Sequence, residues 1–263
     1  MVITPWGSDV LRAKKYQLRG LRKLVQKSNW VTCTQGSRFE KDIVTLLDIP
    51  KEKLYNLPIG IASIDEILSR PFITDEQAKR VWGFEGKYVI VIGYNGSPAH
   101  NHIKVIKSLV FMKKQLPTNT ILVCPMTYGG NPVYRKKIKR LLWNSQFENQ
   151  ILENYLTAEE LVCLRKATDL FIHAQNTDAN SGTIAEYLLC RKKIVNPTWI
   201  TYPHYETYGS PFYSFSNFEE LPQAIMKAIN DTSNKVSPLL TGNISESGWS
   251  KLACKWVELY KKY

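Results

Sequence analysis

The chain has 263 residues, 44% of them hydrophobic, and carries 35 Lys and Arg against 23 Asp and Glu, a formal net charge of +12. No apolar run approaches the roughly 20 residues of a membrane-spanning helix, and the start, MVITPWGSDVL, lacks signal-peptide anatomy. Cys33, Cys124, Cys163, Cys190 and Cys254 form no CxxC pair, which suits reduced thiols and speaks against a disulfide frame or zinc site. These features predict a cytoplasmic chain with one large core or two modest ones, peripheral at most at the inner face of a membrane.

Residues 1 to 10 read as the end of a buried strand and a Gly-Ser-Asp turn. A basic helix follows over about Leu11 to Lys27, with Leu18, Leu21, Leu24 and Val25 as its apolar stripe. Trp30 to Thr34 is a short strand and Ser37 to Leu47 a helix capped by Ser37. Pro and Gly break the segment LYNLPIGI, Leu54 to Ile61, which reads as a hinge, and Thr74 opens a short helix further on. From Lys87 the pattern becomes a βαβ series. KYVIVIG has the unbroken apolar character of a strand buried on both faces of a parallel sheet. Ser97 then caps, and Pro98 begins, a helix reaching Leu116. The strand NTILVCPM, the basic helix Pro132 to Asn144, the strand NQILENYL and a helix opened by the Thr157 to Glu160 capping box come next. DLFIHA, a helix over 181 to 191, KKIVNP and a helix capped by Ser216 complete the series. The expected architecture is α/β: a partial first lobe over 1–72, a hinge near 54–62, and a doubly wound parallel sheet over 85–248. In such sheets ligands sit at the carboxyl ends of the strands, where Gly93 to Gly96, Tyr128 to Gly130 and Asp178 to Thr183 would meet.

The most informative stretch is 178–186, DANSGTIAE, two carboxylates with seven residues between them around a small-residue turn that opens an apolar helix. Ser181, Gly182 and Thr183 fall at the helix N-terminus, whose free amides and positive dipole end suit an anion, and Gly182 leaves room for a diphosphate. Glu186, one turn in, is placed to reach a sugar hydroxyl. The same spacing also describes an ordinary strand-turn-helix joint with surface acids.

Lys and Arg gather in Arg12 to Lys27, Arg135 to Arg140 and Lys251 to Lys262, each group mixed with Trp, Tyr or Leu. Such runs suit phosphates of a nucleic acid, acidic lipid headgroups or a phosphorylated substrate, and equally describe solvated helix faces. No RRM, KH or zinc-finger pattern accompanies them, so nucleic acid is not the expected partner.

In order, the segments WGSDVL, the 28–62 stretch ending in LYNLPIGIA, IVIGYNGSPAHNHIKVIKSL, and 169–195 with its acid, seven residues, acid signature resemble the bacterial family-four glycosyltransferases of GT-B fold. The helix around Trp249 to Tyr260 is similar to the family's last helix, which returns to the first lobe, here 249–263. MTYGGNPVY is also similar, as a weaker match, to lipid-linked fucosamine transferases. The family resemblance implies a retaining transferase of hexosyltransferase type that moves a sugar from a nucleotide donor to a saccharide or lipid-linked acceptor in bacterial surface polysaccharide synthesis. Relative to that pattern the chain enters at the last third of the amino-terminal domain. A non-catalytic donor-binding subunit or truncated pseudoenzyme, inactive as this fragment, is the alternative, and a basic nucleic-acid-binding protein a second one.

On that resemblance Glu186 holds the ribose and the amides of Ser181 to Thr183 the diphosphate, with Asn95, Gly96 and His100 opposite. The base rests near Tyr128 and Glu153, and His173 faces the sugar or is a satisfied core histidine. Asp178 stands where the family has Glu, a shorter reach. Tyr94 and His100 stand where it places Arg and Lys, with Lys104 one turn on, so Asp178, His100 and Lys104 are the expected catalytic groups. The donor is a substrate and no cofactor is implied. Without an Asp-x-Asp pair, and with the His100 and His102 spacing usually chance or capping, no metal is expected.

Overall fold

The computed structural model describes residues 1–262; the last residue of the helix expected over 249–263 lies outside them. The first lobe carries β1 (Val2–Ile3), α1 (Ser8–Leu11), α2 (Lys15–Lys27), β2 (Trp30–Cys33), α3 (Arg38–Leu47) and β3 (Leu54–Asn56). Its strands form a parallel sheet in the order β1-β2-β3, with Val31 paired to Leu54. Val10, Val25, Val31, Phe39, Ile43 and Leu47 fill the core beneath it. The single basic helix expected from Leu11 is instead two. The chain breaks at 12–14, and the Gln17 side chain caps the amide of Lys14 at 2.8 Å to start α2.

The larger lobe runs through α4 (Ala62–Leu68), α5 (Asp75–Trp82), β4 (Tyr88–Ile92), α6 (His102–Phe111), β5 (Thr120–Pro125), α7 (Pro132–Ser145), β6 (Glu148–Leu152), α8 (Ala158–Ala167) and β7 (Leu170–Ile172). It continues with α9 (Gly182–Leu189), β8 (Lys193–Pro197), α10 (Pro203–Glu206), β9 (Phe212–Phe215), α11 (Leu221–Asn230) and α12 (Pro238–Ser245). Six parallel strands lie in the order β6-β5-β4-β7-β8-β9. The central strands β4, β5 and β7 are buried on both faces, which is why their sequences are nearly unbroken apolar runs, whereas the edge strand β6 carries Glu148, Asn149 and Gln150. One face packs Ile64, Ala78, Leu164, Ile184 and Leu188 from α4, α5, α8 and α9, and the other packs Ile106, Leu109, Ile138, Leu142 and Ile225 from α6, α7 and α11. Ile64 thus places α4 in the larger lobe, whereas the sequence reading kept residues up to 72 with the first.

Two further expectations shift. The edge strand β9 was not foreseen, because FYSF has a polar residue in the middle of a short run. Ser216 does not cap α11: its amide and hydroxyl both donate to Glu220, and the helix starts at Leu221 with Pro222 in its first turn. The last helix, α13 (Trp249–Lys261), lays Leu252, Trp256 and Leu259 against Leu57, Val2 and Trp30 of the first lobe. Trp256 Nε1 donates to the Pro58 carbonyl at 3.1 Å. The chain leaves β4 toward β5 on one side and returns to β7 on the other, so the crevice between the loops after β4 and β7 is the sheet's topological switch point.

Candidate functional site

Both loops at the switch point are short and stitched together. Asn176 N donates to Ala99 O at 3.0 Å, Asn101 Nδ2 to Ala174 O at 2.7 Å, and the Tyr94 hydroxyl to Gln175 Oε1 at 2.8 Å. In the loop after β4, Asn95 Oδ1 accepts from Ser97 N at 2.8 Å and Gly96 N donates to Tyr128 O at 2.7 Å. A Cβ on Gly96 would come 2.7 Å from Gly129 O, so the glycine is required by the loop that follows β5. Asn95 is therefore occupied in shaping its own loop and Gly96 in joining it to the next. Tyr128 turns outward and stacks on Tyr155, ring centroids 6.2 Å apart, and Glu153 pairs with Lys139 at 2.6 Å.

His100 is buried with its ring edge-on to Tyr94 at 4.2 Å, and neither ring nitrogen has a hydrogen-bond partner. Burial, then His102, His173 and Arg12, push its pKa down to about 2. His102, bonded to the Tyr134 hydroxyl at 3.2 Å, is pushed down by burial to about 4. Burial thus favours the uncharged imidazole at His100, so in this environment it adds no positive charge where the resemblance led to the expectation of a cation. Nor does Lys104 reach inward: its ammonium lies over the Phe218 ring, 4.4 Å from the centroid.

On the other side of the crevice, Asp178 is held by donors. Its Oδ1 accepts from the Ala179 amide at 2.8 Å, and its Oδ2 accepts from the Tyr202 hydroxyl at 2.8 Å and lies 3.3 Å from His173 Nε2. Burial, followed by the Asp178 charge, holds the Tyr202 phenol far above its ordinary range, so it stays a donor. His173 Nδ1 lies 2.8 Å from Asn196 Oδ1, and the Asn196 amide nitrogen is used on the carbonyls of Pro197 and Ile200, so Nδ1 carries a proton. His173 thus acts behind Asp178, oriented by Asn196.

Ser181 caps α9 through Ile184 N at 3.4 Å, while the amides of Gly182 and Thr183 donate to no protein acceptor among the described residues. A Cβ on Gly182 would sit in ordinary contact with Ile61 at 3.5 Å, so the hinge roofs this helix start. Glu186 points elsewhere than foreseen. It is buried between α4 and α8, where Oε2 accepts from Arg165 Nε at 2.6 Å and Oε1 takes a short hydrogen bond from the Ser63 hydroxyl. The guanidinium of Arg165 also bonds the Tyr187 hydroxyl at 3.1 Å. A carboxylate expected to face a ribose has both oxygens engaged by protein.

Asp178 and Gly182 open onto a cleft of ≈ 440 Å³ between the lobes, which Thr4, Trp6, Thr32, Thr34, Gly60 and Trp249 also line. The lobes meet closely at its ends. Gly7, at φ 80°, brings the first lobe so near that an added Cβ would lie 2.5 Å from the Ala179 Cβ, and Asn180 Nδ2 donates to Thr34 Oγ1 at 3.0 Å. Arg12 crosses from the first lobe to Thr177, Nε to Oγ1 at 3.0 Å and a terminal nitrogen to the carbonyl at 3.1 Å. Sequence reasoning missed Arg12, Ser63, Arg165 and Tyr202. Arg12 sat unmarked in a basic run. The one available signal for Arg165 was its place directly after the apolar run Val162-Cys-Leu164.

No protein-family model matches the chain, and no curated protein sequence matches it. Solved structures do. The glycosyltransferase from Rickettsia africae aligns at TM-score 0.73 and 17% identity over 99% of this chain and 70% of that one. HepE of Anabaena in complex with UDP-glucose aligns at TM-score 0.75 and 16% identity over 100% and 72%. Sucrose-phosphate synthase from Thermosynechococcus elongatus aligns at TM-score 0.72 and 14% identity over 99% and 67%. At these identities the likeness establishes the fold, a mixed α/β architecture of the GT-B glycosyltransferase type.

Proposed function

We propose that the chain is a glycosyltransferase that binds a nucleotide sugar in the interlobe cleft and transfers the sugar, with retained configuration, to a saccharide or lipid-linked acceptor. The observation that carries this reading is the pair of unpartnered amides at Gly182 and Thr183, set beside Asp178 at the switch point of a GT-B sheet. A helix start with free N-H groups suits the diphosphate. HepE, a structural neighbour, has been solved with UDP and with UDP-glucose. Departure of the diphosphate builds negative charge, and preorganised donors are worth most where that charge appears. Here they would be the α9 amides and, with His100 neutral, the Arg12 guanidinium reaching from the first lobe. Asp178, fixed by Tyr202 and the Ala179 amide, would face the sugar. Ser63 donates to Glu186 as a ribose hydroxyl would, so ribose binding exchanges one hydroxyl for another.

A thermal-shift screen of UDP-, GDP- and dTDP-sugars tests the reading. A true donor at a hundred times its dissociation constant adds about 2.7 kcal/mol of stability. Gly182→Asp keeps a good helix start but places a carboxylate on the amides, and should weaken that donor at least about tenfold, near 1.4 kcal/mol, with an undiminished melting temperature. A shift that survives this change removes the diphosphate site from α9. Neutral His100 and the diverted Lys104 favour a second reading, donor binding without transfer. Hydrolysis or transfer of the bound donor by the isolated chain would rule that out.

A further inference from the structure

From residue 86 to residue 147 the chain holds ten Lys and Arg and no Asp or Glu. The structure gathers most of them on one surface. α6 and α7 are neighbours on the same face of the large sheet, both packing into it through one side, Ile106 and Leu109 from α6 and Ile138 and Leu142 from α7. Their opposite sides carry Lys104, Lys107 and Phe111 at helical spacing on α6, and Val133, Lys136, Arg140 and Trp143 on α7. Lys113 donates to the Ser145 and Gln146 carbonyls at 3.2 and 2.6 Å, joining the ends of the two helices, so Phe111 and Trp143 stand at the same end of this layer.

The apolar residues here are unusually bare. Trp143 at 84%, Phe111 at 82% and Val133 at 79% exposure exceed every other exposed large hydrophobic of the described chain. Charges nearby are unevenly settled. Glu153 takes Lys139 and Arg135, and Glu148 takes Lys87, whereas Lys107, Lys114, Lys136, Lys137 and Arg140 have no acidic partner among the described residues. An aromatic pair set among unpaired cations has the composition of an interfacial anchor: rings enter the headgroup region while long cationic side chains reach anionic phosphates.

We infer that the outer face of α6 and α7 docks on an anionic lipid bilayer, with Trp143 and Phe111 inserted and Lys107, Lys136 and Arg140 on the headgroups. Charge complementarity and the two protruding rings favour a bilayer over an acidic protein, which offers no apolar phase for them. The inference does not depend on the donor site, and the nucleotide-sugar thermal shift reports on that site separately.

Co-sedimentation of the full chain with vesicles of equal parts phosphatidylcholine and phosphatidylglycerol tests it. Binding is expected at low salt, weakened by high salt, absent on phosphatidylcholine alone, and not competed by free glycerol phosphate. Lys136→Glu with Arg140→Glu should reduce it by at least about tenfold, since each cation near an anionic surface contributes about fivefold. Trp143→Ala with Phe111→Ala should reduce it severalfold, with unchanged melting temperature and donor response. Equal binding to neutral vesicles, or binding that survives both double variants, would overturn the inference. So would loss of binding only in Lys15→Glu with Arg19→Glu on α2, or tighter retention by single-stranded DNA or polyglutamate than by vesicles.

Discussion

The two loops flanking the switch point are bonded to each other yet handle charge in opposite ways. After β7, the Asp178 carboxylate accepts from the Ala179 amide and the Tyr202 hydroxyl, and two amides of α9 are unused among the described residues. After β4, the crevice is lined by an imidazole that burial keeps neutral and by a loop whose polar groups are spent on one another. The difference teaches that positive charge for an anionic ligand does not come from the larger lobe's own first loop. On the proposed reading it would come from a helix end and from Arg12 of the other lobe, which is held on Thr177 and would make the site dependent on how the lobes meet.

The largest effect should come from behind α9. Arg165→Met leaves the Glu186 carboxylate buried and unpaired, a loss of about 3–5 kcal/mol. For a chain of this size that is a fall of roughly 10 °C in melting temperature. Combining it with Glu186→Gln should recover much of the loss, and failure to recover would show that the pair is not the reason for the cost. Next, Tyr202→Phe removes a hydrogen bond to a charged oxygen and should cost about 1.5–3 kcal/mol in denaturant unfolding. An unchanged midpoint would mean that the Ala179 amide is enough to hold Asp178.

The opposite loop predicts a pH effect. His100 and His102 have folded pKa values of about 2 and 4 against an ordinary 6.5, so the unfolded chain binds more protons between those limits. Their contribution is full above pH 6.5 and is lost as pH falls toward 4, continuing to about 2 for His100; His204, also pushed down to about 4, adds to the same window. His100→Phe should flatten the melting temperature between pH 6.5 and 4, and an equally steep curve would contradict the burial argument. The smallest stability effect belongs to Arg12→Ala. Its contacts are exposed, so about 1 kcal/mol or less is expected in unfolding. Donor turnover should nevertheless drop more than tenfold, about 1.4 kcal/mol in the barrier, and a turnover equal to wild type would remove Arg12 from the site.

The larger lobe was legible because its central strands β4, β5 and β7 are largely apolar and α5 and α8 start on marked caps, Thr74 and Thr157. Ser97 instead caps only the single turn Pro98–His100, and α6 begins after it at His102 and stops short of Leu116. The open amides of α9 were readable for the same local reason. What surrounds them was not. Ser63 and Arg165 approach Glu186 across 123 and 21 positions, and Arg12 reaches Thr177 across 165. No periodicity records contacts of that range. The break between α1 and α2 escaped because Arg12-Ala-Lys14 holds no Pro or Gly to mark it, and only the Gln17 cap does.

Gly60 lies under the indole of Trp249, and any side-chain carbon there would fall inside the ring. On the same joint the Asp65 carboxylate receives the Ser250 amide at 3.1 Å and, through a short hydrogen bond, its hydroxyl. The hinge backbone and the first turn of α13 are therefore seated face to face, a flat ring on bare backbone, with a polar latch beside it. A side chain introduced at position 60 would therefore push the closing helix off the hinge and loosen the wall that Gly60 and Trp249 share with the cleft.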